Sequence, residues 1–160
     1  MVTRTVVLLL VALVSSCSKE QNTSPAPTAT ERAVATKTEI AYASDTTLAR
    51  QYFTQAAQFT KEAKYDSAIV YLQKASIIYE TKQDWEKYVG CYNNIGNNYR
   101  SKGAYDQAMH YLNQALEIGL KQLGENHIKT ANCYHNIGYV YYLSGKYNQA
   151  IEYYNQTSTR

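Results

Sequence analysis

Apolar positions in the second half of the chain recur with the spacing of helix faces. In YNNIGNNYRSKGAYDQAMHYLNQAL, Tyr92 to Leu116, the residues Tyr92, Ile95, Gly96 and Tyr99 form one helical stripe. Gly103 breaks it, and Tyr105, Ala108, Leu112 and Ala115 form the stripe of a second helix. Forty-two residues later the pattern returns as YHNIGYVYYLSGKYNQAIEYYNQTS, Tyr134 to Ser158. A worn copy, YFTQAAQFTKEAKYDSAIVYLQKAS, stands forty residues earlier at Tyr52 to Ser76. Self-similarity at such a period predicts an array of stacked helical hairpins. One hairpin cannot bury both of its faces, so each needs a neighbour.

The stripes predict helices at Thr46–Glu62, Tyr65–Lys82, Trp85–Ser101, Tyr105–Leu123, Lys129–Ser144 and from Tyr147 to near the end. The fold class is all-α. Asp45, with Thr46 and Thr47, reads as the cap before Leu48, and Asp66, Asp106 and Asn148 fall in first turns. Gly96 sits mid-helix, where glycine costs about 1 kcal/mol against alanine. Ala56 and Gly138 hold the same place in the other copies, so the position demands a small residue, letting the helix that bears Ala108 approach.

These residues resemble the tetratricopeptide repeat. The second copy matches its pattern through Tyr92, Ile95, Gly96, Tyr99, Gly103, Ala108 and Ala115, with Leu112 in the late aromatic place. The third matches through Tyr134, Ile137, Gly138, Tyr141, Gly145, Ala150 and Tyr154, with Thr157 replacing the last alanine. The first keeps Tyr52, Ala56, Phe59, Ala68 and Ala75 but has Gln55 where an aliphatic belongs. The spacing exceeds the family's usual length, and LGENH at Leu123 to His127 fills the excess, as in the long-repeat subtype of kinesin light chains. The resemblance implies a right-handed superhelical solenoid of three repeats, at about 49–82, 89–122 and 131–160, within a domain spanning 45–160.

The beginning of the chain reads differently. Val6 to Val14 is an unbroken apolar run of nine residues, preceded by Arg4 and followed by Ser15, Ser16 and Cys17. A bilayer-spanning helix needs about 20 apolar residues, so the run fits the core of a secretory signal at 1–16. Val14-Ser15-Ser16-Cys17 resembles the bacterial lipobox, which implies lipid attachment at Cys17 and a protein exported and anchored to the cell-envelope membrane. Residues 17–44 are rich in Ser, Thr, Ala and Pro and nearly lack large apolar side chains, so they read as a disordered tether.

Composition narrows the chemistry. About 115 residues remain for one domain after the leader and tether. A net charge of +3 with dispersed basic residues excludes a nucleic-acid face. His110, His127 and His135 lack metal-ligand spacing, and His127 reads as a residue that caps or packs the connector. Cys91 and Cys133 stand at equivalent places in successive repeats, too far apart for a disulfide, and read as buried thiols. Without a phosphate loop, nucleophile elbow or paired carboxylates, no catalysis, metal or cofactor is expected.

In the family, the first helix of each repeat lines a groove that grips peptides. Asn94 and Asn136 match the subtype's asparagine ladder, which implies hydrogen bonds to a peptide backbone, since an amide both donates and accepts. Asn93, Asn97, His135 and Tyr139 fall on roughly the same face, whereas Thr54 and Ala57 replace the amides in the first copy. The family's carboxylate clamp is not matched, although Arg50, Lys61 and Arg100 offer positive charge near the groove edge. The expected function is a membrane-tethered module binding a protein or peptide. The alternative is the input region of a longer sensor or regulator, truncated here. Ala150, Ile151, Tyr153 and Tyr154 give the last helix more apolar surface than its partner can cover, so the chain is expected to dimerise through that face or to fray from Tyr147 onward.

Overall fold

The computed structural model describes residues 46–158. The leader, Cys17, the tether and the Asp45 cap lie outside the described residues. Six helices follow one another: α1 (Thr46–Lys61), α2 (Tyr65–Thr81), α3 (Trp85–Ser101), α4 (Tyr105–Ile118), α5 (Ile128–Leu143) and α6 (Tyr147–Ser158). A π-helical turn, Gly119–Leu123, follows α4. No strand occurs among the described residues. Consecutive helices pair as three hairpins, α1 with α2, α3 with α4 and α5 with α6. The hairpins stack through α2 on α3 and α4 on α5, and α3 also meets α5.

The turns explain where the helices stop. Ala63, Gly103 and Gly145 hold equivalent places with φ of 56°, 76° and 74°. That left-handed residue lets the next amide reach back five residues: Lys64 N–H to Phe59 O, Ala104 N–H to Tyr99 O and Lys146 N–H to Tyr141 O, at 2.9, 3.0 and 2.9 Å. New helices start on side-chain caps in two places. Asp84 accepts from Lys87 N–H at 3.2 Å before α3, and His127 Nδ1 accepts from Lys129 N–H at 3.2 Å before α5.

The core lies in the hairpin seams. Ile69, Leu72, Ile78, Tyr79, Tyr88, Cys91 and Ile95 fill the first, where Lys102 also reaches Asp66. Ala108, Leu112, Ile137 and Val140 fill the second, beside Val89, Ala115 and Cys133. The demand for smallness at Gly96 has a direct cause: a Cβ there would stand 2.6 Å from Leu112 Cγ and 3.2 Å from the Ala108 carbonyl. At Gly138 it would meet Tyr154 at 2.9 Å.

Two expectations change. The helix predicted to run from Tyr105 to Leu123 is α-helical only to Ile118, because Gly119 packs against Thr130, where a Cβ would lie 3.0 Å from its hydroxyl. The wider π turn carries the chain under that contact, and Thr130 Oγ1 donates to Gly124 O at 2.8 Å. On α6, the expected uncovered set is only partly uncovered. Ala150 is buried and Tyr153 and Tyr154 are half-buried, while Ile151 is exposed together with Tyr147.

Candidate binding groove

The first helices of the hairpins, α1, α3 and α5, together line two hollows. The larger, of about 370 Å³, opens between α1 and α3 over Phe53, Ala56 and Leu72. Its walls are Thr60, Asn94, Asn97 and Asn98, and Lys61 and Arg100 stand at its edge. The second, of about 220 Å³, lies between α3 and α5. Asn93, Asn94, Asn97, Asn132, His135 and Asn136 line it, with Lys129 and, from α1, Phe53. Neither lining includes an Asp or Glu. The larger hollow exists because Ala57 occupies the place held by Asn97 and Tyr139 in the later hairpins.

The asparagines of α3 divide into two pairs with opposite roles. Asn93, expected on the groove face, is 6% exposed and sits in the floor of the smaller hollow. Its Oδ1 accepts from Asn136 Nδ2 at 2.8 Å, and its Nδ2 donates to Cys133 Sγ at 3.1 Å. That network ties α3 to α5. Asn98 does the same toward α1: its Oδ1 accepts from Thr60 Oγ1 at 2.9 Å and its Nδ2 donates to Asn94 O at 2.8 Å. One turn of helix separates the remaining two, Asn94 and Asn97, which line both hollows. The Asn94 side chain makes no hydrogen bond among the described residues, and the buried Asn97 Oδ1 has no partner. Such an acceptor forfeits about 1–3 kcal/mol until something donates to it.

Tyr139 lies beyond them, 36% exposed, with the Arg100 guanidinium 4.7 Å over its ring. Burial lowers the Arg100 pKa from its ordinary value, yet a guanidinium stays charged. No carboxylate pairs with Arg100 among the described residues; its charge sits over the Tyr139 ring, with Tyr154 also near. Asn94 and Asn97 thus share one surface, which Arg100 links to Tyr139, whereas Asn93 and Asn136 are engaged with each other. Sequence reasoning passed over Phe53, Thr60 and Asn132. The crowding of four asparagines on α3 signalled a use but not which pair faced outward.

Other chemistry is sparse. Cys91 and Cys133 are free and buried, and burial pushes both thiols up to about 12, which keeps them protonated and inert. Among the described residues no group of three or more His, Cys, Asp and Glu could hold a metal ion. Nor is any described helix long and apolar enough to cross a membrane.

Comparison with known proteins agrees with this architecture. A family model described as tetratricopeptide repeat matches residues 88–160. The tetratricopeptide domain of Arabidopsis FLU is 16% identical with a TM-score of 0.61, over 78% of this chain and 96% of that one. BtubC (BKLC) from P. vanneervenii is 21% identical with a TM-score of 0.62, over 79% of this chain and 53% of that one. A Podosopora anserina structure of nearly identical TPR-like repeats, assigned to a kinesin light chain, is 19% identical with a TM-score of 0.58, over 69% of this chain and 53% of that one. The chain therefore spans about half the length of the latter two. No curated protein matches it. At these identities the likeness shows the fold, a tetratricopeptide-repeat solenoid.

Proposed function

We propose, from a tetratricopeptide-repeat fold whose first helices present bare amides over two hollows, that this protein is a non-catalytic interaction module. It holds an extended segment of a partner protein along α1, α3 and α5. The observation that carries this reading is the Asn94–Asn97 pair: a free amide beside a buried carbonyl oxygen without a donor. An extended peptide supplies the missing N–H and accepts from an amide in return. The hollow left by Ala57 receives an apolar side chain against Phe53, Ala56 and Leu72. Lys61 and Arg100, with no carboxylate in that lining, favour acidic residues beside it.

Selection from a random peptide library against the full chain, followed by binding measurements on the selected peptide, tests the reading. Replacing Asn94 and Asn97 together by Ala is expected to weaken binding about tenfold or more, since two hydrogen bonds of about 1 kcal/mol each are lost. The thermal midpoint should stay within a few degrees, because neither amide supports the fold. Undiminished binding would overturn the reading.

The module works tethered at the cell envelope. The apolar run Val6–Val14 and the lipobox-like Val14-Ser15-Ser16-Cys17 support this part, with Cys17 carrying the lipid. Cys17→Ala should then leave unprocessed precursor and abolish labelling by a fatty-acid analogue. Equal labelling of wild type and variant would refute the tether.

A further inference from the structure

Six of the seven glycines have a reason in the fold. Gly103, Gly124 and Gly145 stand at positive φ, and a Cβ on Gly96, Gly119 or Gly138 would lie 3.0 Å or less from a neighbouring side chain. Gly90 has neither reason. It lies inside α3, and a Cβ there would meet nothing within 4 Å. Glycine weakens a helix interior relative to alanine, so the fold alone would favour the larger residue. Arg50 and Asn132 hold the same place on α1 and α5, so the repeat itself does not ask for a small side chain.

Gly90 belongs to the lining of the smaller hollow, one turn before Asn94 and on the same stripe of α3 as Asn94 and Asn97. The side chains that could close over it are held elsewhere. Asn93 is fixed by Cys133 and Asn136, and the Lys129 ammonium turns toward Glu86 at 3.9 Å. The helix backbone is therefore bare at that point, with Phe53 of α1 and Asn132 of α5 beside it. Asn97, whose buried Oδ1 has no donor, lines the same hollow.

We propose, on the reading of the groove as a peptide site, that Gly90 is where the partner's main chain crosses α3, lying directly on the helix backbone. Glycine is the residue that lets another backbone come this close. Amides rather than apolar side chains make most of this lining, which suits a peptide unit better than a hydrophobic anchor. A chain seated at Gly90 brings its peptide groups within reach of Asn94 and Asn97, one and two turns further along. The two hollows then share an origin. Each opens where a side chain present in the other copies is missing, at Ala57 on α1 and at Gly90 on α3. Phe53, Asn94 and Asn97 line both, so one extended segment threads the two. It sets an apolar side chain in the hollow at Ala57 and its main chain in the notch at Gly90.

The test is binding of the library-selected peptide to the full chain carrying Gly90→Ala or Gly90→Leu, beside Asn94→Ala combined with Asn97→Ala. Both glycine substitutions enter open space, so the variants should fold, and Gly90→Ala should raise the thermal midpoint by a few degrees. It should nevertheless weaken binding about fivefold or more, and Gly90→Leu about a hundredfold, as when extra methylenes are forced into an occupied contact. In the complex with the unaltered chain, the Gly90 α protons should show Overhauser contacts to main-chain protons of the peptide. Undiminished binding by both glycine variants would overturn the proposal, while leaving the groove reading standing if the asparagine pair still matters. A lower midpoint for Gly90→Ala would give the glycine a structural reason and overturn it equally. Affinity lost in the glycine variants but not in the asparagine pair would support the crossing and overturn the amide contacts. Failure to select any peptide would refute both readings.

Discussion

Ala63 holds at φ 56° a turn that the later hairpins assign to Gly103 and Gly145. The left-handed conformation costs a non-glycine residue about 1–2 kcal/mol, against about 0.5–1 kcal/mol of extra chain entropy for glycine. Ala63→Gly should therefore raise stability by up to about 1 kcal/mol, seen as a thermal midpoint a few degrees higher. A lower midpoint would show the turn to be unstrained. Sequence reasoning did not single this residue out, although the first copy lacks the turn glycine of the other two. The asparagines were less legible, because four identical side chains on α3 acquire their roles from Thr60, Cys133 and Asn136, about forty residues away. The structure separates them, and so does a mutation. Asn93→Ala strands Asn136 and Cys133 and should cost about 1–3 kcal/mol in denaturant unfolding, whereas Asn94→Ala should cost under about 0.5 kcal/mol. Equal costs would contradict the division.

Helix boundaries at most turns match the expected ones within a residue or so, since a stripe of apolar residues ending in a turn residue carries both period and stop. The exception is the end of α4, where contact with α5 determines the outcome. Nothing in the local pattern of Gly119 to Leu123 announces a π turn; what imposes it is Gly119 packed on Thr130. Thr130→Val keeps the shape and removes the hydrogen bond to Gly124 O, at a cost of about 1–2 kcal/mol. The Gly124 amide, which donates to Gly119 O, should then exchange its hydrogen faster. Unchanged exchange would place the connector's stability elsewhere. The apolar surplus of α6 was readable as a quantity but not residue by residue. Packing on α5 covers Ala150 and part of Tyr153, and the exposed remainder falls on Tyr147 and Ile151.

Buried thiols and phenols give the whole molecule a specific alkaline weakness. Burial pushes the Cys91 and Cys133 thiols up to about 12 and raises the phenols of Tyr79, Tyr88, Tyr99, Tyr153 and Tyr154 above their ordinary value. In the unfolded chain the thiols ionise near about pH 8.5 and the phenols near about 10. Above those values the unfolded state binds fewer protons than the folded one, so stability falls as pH rises. Denaturant midpoints should be insensitive to this effect below about pH 8 and should fall steadily toward about pH 12. Stability flat or rising across that window would contradict the burial. The stack of hairpins was legible because three copies state it. The groove's occupied and open parts were not, because they arise where separate copies face each other. Chemical-shift mapping with a library-selected peptide bound to the full chain tests the central claim most directly. The account predicts that the largest changes fall on Phe53, Ala57, Thr60, Asn94, Asn97 and Asn132, with Gln73 on α2 and Asn113 on α4 undisturbed. Changes centred on those second helices, with Asn94 and Asn97 unmoved, would contradict it.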